Sequence, residues 1–151
     1  MDLQLKGKRA LVSGSHRGTG RAIAHAMARE GADVIVHGFE LAAAEEAAAE
    51  IRAFGFSAVA VAGDICTDAG AADVIAACGD IDILINNYGT ADAGSWSRTE
   101  TDGWIDAYEK NVLSAVRLTR GFMGAMKEKG WGRIVMLGTI GSTEPAARMP
   151  H

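Results

Sequence analysis

The sequence predicts an α/β fold: a parallel sheet of order 3-2-1-4-5, doubly wound, with helices on both sides in three αβα layers. Two observations carry that prediction. Short segments that are apolar on both faces alternate with helical segments along the chain, the pattern of a parallel sheet covered on both sides. The first such segment also runs straight into Gly14-Ser15-His16-Arg17-Gly18-Thr19-Gly20, and an amphipathic helix follows at once. Right-handed crossovers then give the doubly wound order, in which ligands bind beyond the carboxyl ends of the strands, at the switch point between strands one and four.

Strand one is predicted over 9–13 and the first helix over 19–30, with Gly31 as its C-terminal cap. Ile23, Met27 and small alanines form the inner face of that helix, which permits close approach to the sheet. Strand two is 33–37. The second helix, 41–54, is rich in alanine; Glu45, Glu46 and Glu50 face water, and Gly55 stops it. Strand three covers 57–62, a short helix 68–77, and strand four 81–86. A polar stretch from 90 to 101 follows, in which Thr99-Glu100-Thr101-Asp102 offers capping-box chemistry for the next helix. That helix is long, 110–129, with Val112, Val116, Thr119, Met123 and Met126 down one side. Gly130 breaks it, and strand five is 133–137. Packing accounts for the methionines and tryptophans without a cofactor.

Three glycines at this spacing, between a strand and a helix, are what a chain needs to bring its backbone against a pyrophosphate. Gly14 takes the dihedrals of a sharp exit from the strand, Gly18 leaves no Cβ in the way of phosphates, and Gly20 lets the helix pack closely on the sheet. The N–H groups of the helix start, with their partial positive charge, face the anion. A ligand-free βα turn is the competing reading, but the strand–loop–helix context favours a dinucleotide site. Gly14, Ser15, His16, Arg17, Gly18, Thr19 and Gly20 are therefore candidate binding residues. A P-loop is disfavoured, because no Gly-Lys-Ser/Thr closes the glycine run.

The chain has 151 residues, 48% of them hydrophobic and 23% charged, enough for one globular domain (1–151) with a sizeable core. A net charge of −4 without a block of lysine or arginine argues against sequence-independent nucleic-acid binding. The first residues lack a signal-peptide layout and no apolar run approaches a membrane span, so a cytoplasmic protein without a membrane partner is expected. Cys66 and Cys78 are too far apart for a CxxC motif and are expected as free thiols. His16, His25, His37 and His151 show no paired spacing, so no metal site is expected.

Several motifs in order resemble the short-chain dehydrogenase/reductase family, in particular its 3-oxoacyl-acyl-carrier-protein reductases. They are Ser13-Gly14-x-x-x-Gly18-x-Gly20, Gly63-Asp64-Ile65, Asn86-Asn87-Tyr88-Gly89, Lys110-Asn111-Val112 and Arg133-Ile134-Val135-Met136-Leu137-Gly138-Thr139. The family usually has alanine where Tyr88 stands and often serine where Thr139 stands. The resemblance implies a Rossmann-type fold and hydride transfer between a nicotinamide and a small carbonyl or alcohol substrate. By the same resemblance, Asp64 and Ile65 border the adenine, the Asp64 carboxylate accepting a hydrogen bond from the base; a turn or capping acid is the alternative for Asp64. Asn86, Asn87, Tyr88 and Gly89 shape the end of strand four near the nicotinamide ribose. Asn111 kinks the long helix and holds a water for the catalytic lysine, although by itself it reads as a solvent-facing residue. Thr139 stands at the substrate-hydroxyl position, with Ser142 as the fallback if the loop register differs.

A dedicated NAD site favours an acid at the end of strand two, to receive the ribose hydroxyls. Here the end is His37-Gly38-Phe39, with Glu40 a little late, and Phe39 replaces a basic residue that some family members carry. Arg17 is placed to meet a 2′-phosphate as a charge-assisted pair, or is a plain surface residue. The expected cofactor is NADP (NADPH), with NAD possible, and His37 joins the candidate cofactor residues.

In the family a Tyr-x-x-x-Lys pair follows roughly a dozen residues after the hydroxyl residue. The tyrosine exchanges a proton with the substrate, and the lysine lowers its pKa and holds the cofactor ribose. This chain ends at Met149-Pro150-His151, where that tyrosine is expected, and Tyr88 and Tyr108 lie in other motifs. The sequence is thus expected to be the amino-terminal part of a reductase, lacking the carboxyl-terminal strands and inactive alone, with strand five an exposed apolar edge. A non-catalytic dinucleotide-binding module is the alternative. The full-length form is expected to be a homo-oligomer, dimer or tetramer, because helix 110–129 resembles a family dimer-contact helix.

Overall fold

A computed structural model describes residues 3–144; Met149, Pro150 and His151 lie outside them. Five parallel strands form one sheet: β1 (Arg9–Val12), β2 (Asp33–Gly38), β3 (Ala58–Ala62), β4 (Ile83–Asn86) and β5 (Arg133–Met136). Their order is β3-β2-β1-β4-β5, as the alternating pattern predicts. The helices are α1 (Gly18–Arg29), α2 (Leu41–Ala53), α3 (Asp68–Cys78), α4 (Thr101–Tyr108) and α5 (Ser114–Glu128).

Period-two alternation within the strands splits the core in two. Ala10, Val12, Val34 and Val36 face one side, where they meet Ala24 and Ala28 of α1 and Ala44, Ala47, Ala48 and Ile51 of α2. Leu11, Ile35 and Leu84 face the other, against Val74 of α3 and Leu118, Phe122 and Met126 of α5. The alanine-lined side lets two helices sit close to the sheet. On α1 the fully buried positions are Gly20, Ala24 and Ala28, while Ile23 and Met27 pack at the margin of the core.

The long helix departs most from its predicted form. Helical structure begins at Thr101, and α4 runs through a π-helical turn, Glu109–Leu113, into α5. The capping box is not made. Glu100 is the N-cap without a side-chain bond, and the Thr99 hydroxyl instead accepts from the Ser95 N–H at 3.1 Å. The face of α5 against the sheet is Ser114, Leu118, Phe122 and Met126, whereas Val112 and Val116 are exposed. Two apolar stripes compete on this helix, and the bulk of Leu118 and Phe122 fills the space above β4. The whole of β5 is exposed, Ile134, Val135 and Met136 included, so strand five is the apolar edge expected.

Strand four begins two residues later than predicted, because Asp82 is spent on a tie between strands. Its carboxylate accepts the Arg9 N–H at 3.0 Å and the Lys129 ammonium at 3.0 Å, while its own carbonyl takes the Arg133 N–H at 2.9 Å. Burial opposes the Asp82 charge, but these donors prevail and hold its pKa below the ordinary value. Asp82→Asn is expected to cost about 1–3 kcal/mol of stability, read as a lower urea midpoint; an unchanged midpoint contradicts it. Cys66 and Cys78 are free thiols, as expected. Among the described residues no helix is long and apolar enough to cross a membrane.

Candidate functional site

Because all five strands are parallel, the segments leaving β1, β2, β3, β4 and β5 gather at one end of the sheet. Ser13 is the node there. Its hydroxyl accepts the Asn87 and Tyr88 N–H groups, each at 3.0 Å, and points its own proton at the Ile85 carbonyl at 3.4 Å. The Asn87 side chain returns across the gap, donating to the carbonyls of Ser13 at 2.9 Å and Gly14 at 3.3 Å. The glycine loop is thereby bolted to the end of β4.

A second anchor comes from β2. The Gly14 N–H donates to His37 Nδ1 at 3.1 Å, so His37 carries its proton on Nε2, which faces the Gly63 carbonyl at 3.1 Å. The Ser15 hydroxyl donates to the Val12 carbonyl at 2.6 Å and accepts the His37 N–H at 3.0 Å. One imidazole thus joins β2 to the segments that follow β1 and β3. His37 and Ser15 are fully buried, as is Ile65. These three candidates support the site from beneath and offer no surface at its mouth, because strand-end side chains alternate and theirs point inward.

What remains on the surface is the loop itself. Gly14 and Gly18 have φ of +61° and +58°, and a Cβ placed on Gly18 would meet nothing within 4 Å. Gly20 is the opposite case: a Cβ there would lie 2.5 Å from both Asn87 Nδ2 and the Gly14 carbonyl oxygen. Arg17, the N-cap of α1, is extended at φ −154° and makes no side-chain cap, so the helix opens with amide donors left to a ligand or water. Arg17, Gly18 and Thr19 are exposed, and His16 is half-buried with Nδ1 enclosed and unpartnered.

Around this cradle, Asp64 follows β3 and its Oδ1 accepts the Cys66 N–H at 2.9 Å, the turn role given as its alternative reading. The Tyr88 ring lies 5.0 Å from that of Phe39, and the Cys66 thiol donates to its hydroxyl at 3.7 Å. Burial first, then the thiol, raises the Tyr88 pKa above the ordinary phenol value, so Tyr88 is no acid at neutral pH. Asn86 is buried, its amide nitrogen donating to the Thr119 hydroxyl at 3.2 Å. Asn111 sits in the π turn and its Oδ1 accepts the Thr90 N–H at 2.7 Å; a Cβ on Gly89 would also come within 2.7 Å of it. Such turns recur at functional sites. Thr139 is exposed beyond β5, where its hydroxyl accepts the Gly141 N–H at 3.3 Å, and Ser142 ends the short 3₁₀ turn it begins.

Ser13 is the residue that motif reading left outside the candidate set. Its place at the head of the glycine motif was the available signal. Two shallow hollows, of about 680 and 540 Å³, lie elsewhere, one beside Gly31 and Phe56 and one between His25 and Phe54. The first lies away from the carboxyl ends of the strands, where ligands of parallel sheets bind, while the second runs along the outer face of α1 and reaches the glycine loop only at Gly18. Among the described residues no three His, Cys, Asp or Glu side chains gather to hold a metal.

Burial holds the His37 pKa below its ordinary value, the Gly63 carbonyl only partly opposing it. A neutral His37 stabilises the fold fully above about pH 6.5, the unfolded value. As pH falls below that value toward the lower folded pKa, the unfolded chain takes up a proton the native state refuses, and stability drops. His16, also lowered by burial, acts in the same direction. Urea unfolding between about pH 8 and pH 5.5 should show this decline, and His37→Gln should flatten it. A wild-type midpoint insensitive to pH in that range contradicts the assignment.

Residues 8–151 match the family model for short chain dehydrogenase. An uncharacterized oxidoreductase of Bacillus subtilis, YvaG, is 35% identical over 153 aligned positions, covering 100% of this chain and 58% of that protein. The 3-oxoacyl-[acyl-carrier-protein] reductase FabG of Salmonella typhimurium is 34% identical over 93% of this chain and 58% of its own length. Among solved structures, L-sorbose reductase of Gluconobacter frateurii, complexed with NADPH and L-sorbose, superposes with a TM-score of 0.94 at 33% identity, covering 99% of this chain and 59% of that one. The chain therefore spans under three fifths of the length of these relatives.

Proposed function

The chain belongs to the short chain dehydrogenase family, and from that membership we propose that it is the amino-terminal, nucleotide-binding part of an NADP-dependent carbonyl reductase or alcohol dehydrogenase. One observation carries the proposal: an uncapped helix start joined to a glycine with φ +58° and open space above it, at the carboxyl ends of five parallel strands. That cradle fits a diphosphate, which needs amide donors and no Cβ in its way. Gly14, Gly18, Thr19 and Gly20 are proposed to hold it, with Arg17 meeting a 2′-phosphate. NADP is preferred over NAD because β2 ends in His37 and Gly38 with no acid there, and because L-sorbose reductase was solved with NADPH.

The nicotinamide, when bound, supplies or accepts the hydride. Asp64 is proposed to edge the adenine with the carboxylate oxygen that its turn leaves over, and Asn87, Tyr88 and Gly89 to shape the ribose end. Asn111 is proposed to set the course of the segment after β4, through the Thr90 N–H, and to position a water. The Thr139 hydroxyl is proposed to donate to the substrate oxygen as charge develops on it. The proton-exchanging tyrosine and its lysine are proposed for the part of the relatives' length that this chain does not span, and the 151 residues alone are proposed to have no turnover. The apolar edge at β5 fits association of the complete protein as a homo-oligomer, and the cytoplasmic setting expected from the sequence belongs to the same proposal.

Calorimetric titration of the 151-residue chain with NADPH and NADH tests the binding, and an assay of NADPH oxidation with a carbonyl substrate tests the inactivity. Binding without oxidation is expected, together with turnover by a gene product that extends through a Tyr-x-x-x-Lys pair. Failure to bind either nucleotide would overturn the reading; oxidation by the chain alone would overturn its incompleteness. A stable chain that binds nucleotide but has no coding sequence after His151 would instead make it a binding module.

A further inference from the structure

We propose that the His16 imidazole is a second reader of the 2′-phosphate on the adenosine ribose, taking up a proton from solvent when that phosphate binds beside Arg17. The inference rests on the nucleotide reading above and adds to it a residue, a protonation state and a means of choosing between nucleotides.

His16 leans on the end of β2. A Cβ placed on Gly38 would lie 3.3 Å from His16 Cβ, so a side chain at that position would crowd His16 where it stands. This is the place where an acid would receive the ribose hydroxyls in an NAD site, and here an imidazole stands over it instead. The other basic groups nearby are committed. His37 spends both ring nitrogens on Gly14 and Gly63. Arg21 donates to Glu50 at 2.9 Å and lies 3.9 Å from Glu46. Arg17 is exposed and makes no ion pair among the described residues, and His16 Nδ1 is enclosed without a hydrogen-bond partner. Arg17, without an ion pair among the described residues, and His16, held by side chain only against the His37 backbone and with Nδ1 unpartnered, remain for an anion.

Their charge states give the device its direction. Burial first, then Arg17 and Arg21 from the start of α1, lower the His16 pKa, and the His37 backbone only partly restores it. No carboxylate is among the groups acting on it; Glu40, two residues after Gly38, is exposed at the start of α2. The ring is therefore neutral in the empty site at neutral pH. A phosphate carrying close to two charges reverses that balance and favours the imidazolium, adding a charge-assisted hydrogen bond. No bond other than the N–H forms and nothing is oxidised. NADH has no group to drive the step. The sign is diagnostic, because a phosphate whose second pKa lies near 6 releases a proton, and does not gain one, when it meets cations.

Calorimetry of NADPH and of NADH binding to the chain, at about pH 7.5 in two buffers of different ionisation enthalpy, counts protons exchanged. Net proton uptake is expected with NADPH and none with NADH, and the NADPH/NADH affinity ratio should rise several-fold as pH is lowered from about 8.5 to about 7. His16→Gln should abolish the uptake and the pH dependence of the NADPH/NADH affinity ratio; His16→Asn serves if the glutamine variant folds poorly. NADPH binding with no proton uptake, or uptake that persists in the variant, overturns the inference while leaving the nucleotide reading intact. Failure of both nucleotides to bind overturns the reading, and this inference with it.

Discussion

Gly20→Val is expected to remove a large share of the stability of the fold and all nucleotide binding. The new Cβ would sit 2.5 Å from the Gly14 carbonyl oxygen, 2.5 Å from Asn87 Nδ2 and 2.9 Å from Ser15 Cα, and two of those atoms are backbone. Moving Asn87 aside breaks its bonds to the carbonyls of Ser13 and Gly14. Overpacking costs about 1–3 kcal/mol, and each hydrogen bond lost from a buried junction adds about 1 kcal/mol. Against a total stability of about 5–15 kcal/mol, the sum is a large share, and the melting temperature should fall by about 10 °C or more. Gly20→Ala should follow the same direction less steeply. Calorimetric melting checks both, and a Gly20→Val chain that melts with the wild type would show that the loop and β4 part easily.

Arg17→Glu is expected to cut NADPH affinity by about 10–100-fold, the worth of a hydrogen bond between charged groups, while NADH affinity changes little. The fold should not notice. Arg17 is exposed, and its side chain makes no cap on α1, so melting temperature serves as the internal control. The loss should shrink in high salt, since an exposed cation is screened. Equal losses for both nucleotides would point to a disturbed loop, and no loss at all would make Arg17 the plain surface residue of its competing reading.

The sheet was legible because its strands are short apolar runs separated by strong punctuation; Gly31, Gly55 and Gly130 all have positive φ where the chain must turn. The glycine cradle was legible for the same reason, since each of its glycines answers a separate steric demand. Asn111 was placed by resemblance alone. Its partner, the Thr90 N–H, is 21 residues away, and nothing local announces a π turn. The inward direction of Ser15, His37 and Ile65 was hidden because adjacency in a motif says nothing about which side of a strand end a residue takes. The buried face of α5 was hidden because two apolar stripes share one helix, and only the volume over β4 decides between them.

The ties among Ser13, Asn87 and His37 have a thermodynamic consequence. Hydroxyl, amide and imidazole fix the strand ends before any ligand arrives, so the cleft is rigid in advance, with the start of α1 left free of any side-chain cap. A nucleotide entering it has little main-chain entropy to quench, and the cost of association falls on the nucleotide's own rotors. Binding by such a pre-organised mouth should therefore be fast and fitted at first encounter, with selectivity resting on the few side chains at its rim.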